Sequence, residues 1–263
     1  MISTIRNLNK VSRVFSNIAS KYDELTSFHR NVGENLISKI ENLDEPAAIL
    51  DIGMGTGYLM RRLIDNYSGS KVVGVDFAEG MLRFSKSKND RLLIACADAS
   101  RLPFSRNSFD IIISNLAYQW VEDLCSAFME CRRCLKEDGR FCFSMFGKNT
   151  FKELFLALDD SFKKLEGRDC FPIEKLAGMG YVDSSLAAAG FDIRNVYSEN
   201  IKVRFASMYD LIRWIKNIGA NSLKKDVFVG RKLLSKANEF YSTNYSEEGG
   251  VFATLEVIYV EAM

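Results

Sequence analysis

Histidine is nearly missing: one residue, His29, in 263. Chemistry that needs several imidazoles, such as a histidine-rich metal centre or a set of histidine bases, is therefore not expected. Three prolines leave no room for a long proline-rich linker. Neither sign of charge prevails, with 35 basic and 34 acidic residues, so no broad field points to nucleic acid or a membrane surface. No apolar run approaches the roughly 20 residues of a membrane span. Arg6, Lys10 and Arg13 break up the N-terminus before an apolar stretch forms, so no secretory leader is expected and the expected location is the cytoplasm. The six cysteines include one C-x-x-C pair, Cys131 and Cys134, inside a helical pattern. Without a second pair, buried reduced thiols are expected there and no metal.

The chain does carry a core's worth of apolar material, 47% of residues. It is arranged as short runs: "AAILDI" (47–52), "KVVGVD" (71–76), "LLIACA" (92–97), "FDIIIS" (109–114) and "RFCFSMF" (140–146). Helical patterns, among them "YLMRRLIDNY" and "LCSAFMECRRCL", separate them. Near-continuous apolar strands alternating with helices predict an α/β fold, a doubly wound, mostly parallel sheet covered on both faces. After residue 147 the regularity weakens. A helix is expected in "EKLAGMGYVDSSLAAAG", a mixed-charge helical stretch over about 207–241, and a closing strand at "FATLEVIYV" (252–260). Residues 1–30 are read as an N-terminal helical cap, 31–147 as the core, and 148–263 as the rest of the sheet with helical cap insertions.

The most informative stretch is "LDIGMGTG" (50–57), where a strand runs into a helix. Ligands of open α/β sheets sit outside such strand ends. Gly53, Gly55 and Gly57 alternate with single residues, unlike the G-x-G-x-x-G of dinucleotide sites, and they leave a backbone that a ligand could approach. Asp51 at the strand tip would repel a pyrophosphate and favour a cation. S-adenosylmethionine, with a sulfonium, an ammonium and no phosphate, fits that demand. Asp76 ends the second strand 19 residues after Gly57, at about the distance where an acid accepts ribose hydroxyls. Asp98 follows the third strand, placed for an adenine amino group. Asn115 ends the fourth, facing the methionine part.

"LDIGMGTG", "VVGVDFAEGML", "ADASRLPFSRNSFDIIISN" and "CLKEDGRFCFSMF" together resemble the successive motifs of class I S-adenosylmethionine-dependent methyltransferases. The resemblance implies a seven-stranded Rossmann-like sheet and adds Phe77, Met81 and Ala99 to Asp51, Gly53, Gly55, Gly57, Asp76, Asp98 and Asn115 as cofactor-binding residues. Met54 stands where many relatives have cysteine. The flanks "FSNIASKYDELTSFHR", "SNLAYQWVEDL", "IRWIKNIGAN" and "GGVFATLEVIYV" are similar to those of the malonyl-[acyl-carrier protein] O-methyltransferases of biotin synthesis. That family esterifies the free carboxyl of a malonyl thioester, so the implied partner is malonyl-acyl carrier protein or malonyl-CoA, met by a monomer. The implied catalytic residues are Tyr22, closing over the site; Arg213, holding the carboxylate in its planar fork; and Phe171, lining the malonyl pocket. Each also has a structural reading, as helix packing, exposed helix face and core. Tyr118, Gln119 and Trp120 are expected at the pocket mouth. Two basic clusters, Arg6, Lys10, Arg13 and Lys21, and Lys224, Lys225, Arg231, Lys232 and Lys236, are candidate faces for an acidic carrier. Two other readings stay open. One is a methyltransferase of a quinone ring or another small molecule. The other is a protein like the methyltransferase-fold assembly factors of respiratory complex I, since "SMFGKNTFKEL" and "LAAAGFDIRNV" are similar to theirs.

Overall fold

A computed structural model describes residues 8–25, 27–40, 46–167, 176–218 and 230–263. In chain order the elements are α1 (Leu8–Leu25), α2 (Ser27–Ser38), β1 (Ala48–Ile52), α3 (Tyr58–Asn66), β2 (Lys71–Asp76), α4 (Glu79–Lys88), β3 (Leu93–Cys96), β4 (Phe109–Asn115) and α5 (Leu124–Cys134). Then follow β5 (Leu135–Phe146), α6 (Lys152–Glu166), α7 (Met179–Ala188), β6 (Ile193–Phe205), α8 (Met208–Asn217), α9 (Arg231–Asn244), the two-residue β7 (Ser246–Glu247) and β8 (Gly250–Ala262).

The strands form one sheet in the order β3-β2-β1-β4-β5-β8-β6, with β7 paired to β8. The β1/β2, β2/β3, β1/β4 and β4/β5 ladders are all parallel. From β1 the chain steps outward through β2 to β3, then returns to β4 on the other side of β1. The carboxyl ends of β1 and β4 therefore border a topological switch point, where such sheets bind ligands.

The chain divides into two compact units: residues up to 145 with 178–197 and 258–263, and residues 146–177 with 198–257. Most of the sheet lies in the first unit, while the outer parts of β6 and β8 belong to the second. α1 and α2 are grouped with the first unit too, and the reason is visible in α1. Val11, Phe15, Ile18 and Tyr22 recur at helical spacing and, with Ala19, pack against Ala78 and Met81 of the α4 region. Gly80 permits the close crossing: a Cβ there would lie 2.5 Å from the Ser16 Cα. Ser16 Oγ accepts from the Gly80 N–H (3.0 Å), and Ser12 Oγ donates to the Phe77 carbonyl (3.2 Å).

Within the second unit α6 packs on α9. Its buried carboxylates are satisfied by backbone and hydroxyl donors: Glu153 accepts from the Thr254 N–H (2.9 Å) and Oγ1 (2.5 Å), and Glu256 accepts from the Asn149 N–H (2.7 Å).

Two expectations need correction. β5 begins at Leu135, five residues before the expected strand, because the "KEDG" segment is taken up in a register shift opposite Asp110; Lys136 pairs with that acid at 2.6 Å. Of the helix expected in 174–190, α7 starts at Met179, since Gly178 is extended (φ −90°, ψ 161°) and glycine is a poor helix former; 174 and 175 lie outside the described residues. The mixed-charge stretch is helical where it is described, as α8 and α9, and 219–229 lie outside the described residues. Of the six cysteines, five are free: Cys131, Cys134 and Cys142 are buried, Cys125 is half-buried and Cys96 is exposed at the tip of β3; Cys170 lies outside the described residues.

Candidate active site

A cavity of about 330 Å³ lies at the switch point, within the usual size range of small-molecule sites. Gly53 contributes its floor, Asp76 and Phe77 one side, and Asp98 and Ala99 a second. Ala117, Trp120 and the following loop complete the wall. Four acids line it, Asp76, Asp98, Glu122 and Asp123, and among the lining residues no lysine or arginine answers them.

The three glycines all hold left-handed backbone, with φ of 73°, 54° and 80° at 53, 55 and 57. Sequence reasoning assigns them to ligand approach. At two of them neighbouring protein is the stricter demand. A Cβ on Gly53 would lie 2.3 Å from the Ala117 Cβ, and one on Gly57 would lie 2.6 Å from Ser85 Oγ. Gly53 and Ala117 thus meet across the switch point. Ala117 is brought there by Leu116, itself left-handed (φ 49°) and held by an N–H bond to the Ser144 carbonyl (2.9 Å).

Asp76 is 6% exposed. Its Oδ2 accepts from the Gly55 N–H and its Oδ1 from the Ala78 N–H, both at 2.8 Å, so it ties the glycine turn to the head of α4. Each oxygen keeps a lone pair for a ligand hydroxyl. Burial pushes its pKa up to about 6 against those backbone donors. Asp51 sits one residue behind the cavity wall. Burial, then the nearby Asp76 charge, push its pKa up to about 8. Its Oδ2 is fully buried with no hydrogen-bond partner among the described residues. Two buried carboxyls, Asp76 on the wall and Asp51 behind it, thus stand at a cavity whose lining carries no lysine or arginine. The nucleoside, sulfonium and ammonium of S-adenosylmethionine fit that donor set, whereas a pyrophosphate does not.

The remaining candidates fall in three groups. Phe77, Asp98 and Ala99 line the cavity, with Asp98 Oδ1 accepting from the Ser100 N–H (2.8 Å). Trp120 lines it as well, whereas Tyr118 borders it while buried among Phe128, Phe141 and Phe143. Met81 and Asn115 are not on the wall. Met81 is packed under α1, and Asn115 is spent on structure, donating to the His29 carbonyl (2.9 Å) and accepting from Ser144 Oγ (2.8 Å). Tyr22 lies over the glycine turn, where a Cβ on Gly55 would touch its ring at 3.9 Å. Burial first, then Asp76 and Asp23, raise its hydroxyl well above the ordinary range. Arg213 belongs to the second unit, exposed on α8 and paired with Asp210 at 2.5 Å. Phe171 lies outside the described residues. His29, on α2, edges Tyr22, and burial pushes its pKa down to about 4.

Sequence reasoning misses Glu122 and Asp123. The signal for Asp123 is its spacing before Ser126: it caps α5, accepting from the Ser126 N–H at 3.2 Å. It also misses Phe15, whose ring meets Trp120 edge-on at 5.3 Å and so backs the cavity wall from α1.

Comparison with known proteins agrees with this geometry. The methyltransferase-domain family model matches residues 50–143. A Bacillus subtilis protein, YcgJ, superposes with a TM-score of 0.61 at 19% identity over 88% of this chain and 97% of its own. Phosphoethanolamine N-methyltransferase 2 of Haemonchus contortus, solved in complex with S-adenosyl-L-methionine, gives 0.54 at 21% identity over 89% of this chain and 52% of its own. Fold and site thus define a class I methyltransferase of the S-adenosylmethionine-dependent kind. At finer grain, the malonyl-[acyl-carrier protein] O-methyltransferase of Geobacter sulfurreducens is 33% identical over 95% of this chain and 96% of its own length. The biotin biosynthesis bifunctional protein of Saccharophagus degradans is 31% identical over 96% of this chain and 46% of its length. The chain belongs to the malonyl-[acyl-carrier protein] O-methyltransferase family.

Proposed function

We propose that the protein binds S-adenosylmethionine in the switch-point cavity and directs its methyl group to the free carboxylate of a malonyl thioester carried on acyl carrier protein, a step of biotin synthesis. The full-length likeness to the malonyl-[acyl-carrier protein] O-methyltransferases carries this reading, and the acidic cavity supports it. Bound there, S-adenosylmethionine supplies an electrophilic methyl on a cationic sulfur.

This chain's own residues then have limited work. Asp76 and Asp98 accept hydroxyl and amino donors. Tyr22 covers the glycine turn and keeps water from it. A malonyl carboxylate, with a pKa of about 4, is ionised at neutral pH and needs no general base. That agrees with the one histidine, held neutral by burial. The contribution required is alignment in a dry site. Arg213 is assigned to positioning the carboxylate, exchanging its present partner Asp210 for the substrate.

The test is to incubate the full chain with methyl-labelled cofactor and either malonyl-carrier or a non-carboxylated acyl-carrier. Label on the malonyl form alone is expected. Equal labelling of both, or cofactor binding with no transfer, overturns the proposal. Malonyl-CoA, run beside them, decides whether the carrier itself is recognised.

A further inference from the structure

We infer that Asp23 is a positioning residue for the transfer reaction: its carboxylate clasps α1 to the glycine turn and to α4, and so holds Tyr22 over Gly55. The inference rests on reading the cavity as the cofactor site.

Asp23 stands next to Tyr22 near the end of α1. Its Oδ1 accepts from Thr56 Oγ1 at 2.5 Å, and its Oδ2 pairs with Lys88 Nζ at 3.0 Å. Its backbone carbonyl accepts from Arg30 of α2 at 3.1 Å. One residue therefore joins four elements. Thr56 lies between Gly55 and Gly57 and is 3% exposed. It is the only hydroxyl in the turn, and so the turn's one side-chain handle for a polar partner. Lys88 closes α4 and also lies over the Phe84 ring, 4.4 Å from its centre.

The apolar stripe of α1 fixes which face packs inward, but contacts of that kind are non-directional and tolerate sliding along the helix. Hydrogen bonds do not. Ser12 and Ser16 pin the first half of α1 to the head of α4, and Asp23 pins the last turn, where Tyr22 is. Asp23 is suited to this as a persistent anion. Burial pushes its carboxyl up, and the bonds from Thr56 and Lys88 together outweigh that and hold it below the usual range. It is not among the residues that line the cavity, so its effect on the reaction runs through Tyr22.

The experiment uses the full chain as Asp23→Ala, Asp23→Asn, Thr56→Val and Lys88→Met. It reads hydrogen exchange of α1 in the free protein and the affinity for S-adenosylhomocysteine. Loss of a charge-assisted clasp is expected to weaken S-adenosylhomocysteine about tenfold in Asp23→Ala. Exchange should rise in α1 and stay unchanged in β1 and β4. Asp23→Asn, which keeps an acceptor for Thr56 but no charge for Lys88, should fall between. Thr56→Val combined with Asp23→Ala should match Asp23→Ala alone, because partners in one contact are not additive. Unchanged α1 exchange, a rise spread over the whole sheet, or wild-type affinity in Asp23→Ala overturns the assignment. Failure of the wild type itself to bind S-adenosylhomocysteine would sink the cofactor reading instead, and the exchange data would still decide the clasp.

Discussion

Gly53 and Gly55 differ by their neighbours, and their alanine variants separate backbone strain from collision. Both sit at left-handed φ, which costs a residue with a Cβ about 1–2 kcal/mol. Only Gly53 also faces an atom at 2.3 Å. Gly55→Ala is expected to lose about 1–2 kcal/mol in urea unfolding, and Gly53→Ala about 3 kcal/mol or more, with the turn and the Ala117 loop displaced together. The paired acids predict a pH trend in the cofactor-free protein. Asp51 and Asp76 titrate in the folded state at about 8 and about 6, against 3.8 for the ordinary carboxyl. Folded protein thus binds more protons than unfolded chain across that window. Stability contributed by these groups is present below about pH 4 and lost as pH rises toward 8. Urea unfolding of the free protein should show that decline, and Asp51→Asn should flatten its upper part. An unchanged slope in Asp51→Asn would mean that another group titrates there. The sequence displays these acids at strand tips, but not that Asp51 is walled in or that Asn115 is committed to His29 and Ser144. The commitment of Asn115 depends on residues 29 and 144, far from 115 in the chain.

Elements were legible in proportion to how local their causes are. β1, β2, β3 and β4 are short apolar runs whose ends are set by charge or glycine, and their limits follow the sequence closely. β5 is different, because its first residues pair through a register shift opposite Asp110 that no run of residues announces. α7 shows local chemistry winning over pattern: the alanine-rich helix begins only past Gly178, which is extended. The cavity's acids at 76 and 98 are readable because each follows a strand. The back wall, Phe15 against Trp120, is not, since it joins the first helix to a loop 105 residues later.

The proposed roles of Asp76 and Arg213 can be told apart by substitution. Asp76 belongs to the first unit and Arg213 to the second. Asp76→Ala should weaken cofactor binding tenfold to a hundredfold, on the order of one charged hydrogen bond. Arg213→Ala should leave that affinity within about twofold while turnover falls more than about tenfold, the size of one lost charge-assisted contact. Calorimetry with S-adenosylhomocysteine beside steady-state kinetics separates the two, and a collapse of cofactor affinity in Arg213→Ala would place that arginine elsewhere in the mechanism. The docking of α1 on α4 also bears on how the chain matures. At synthesis rates of about 5–20 residues per second, the first helix leaves the ribosome several seconds ahead of the segment it must cover. Through that interval Val11, Phe15 and Ile18 face water with nothing to bury them. A nascent chain stalled before α4 should therefore bind hydrophobic chaperones through its first helix, and release them once Gly80 and Met81 have emerged.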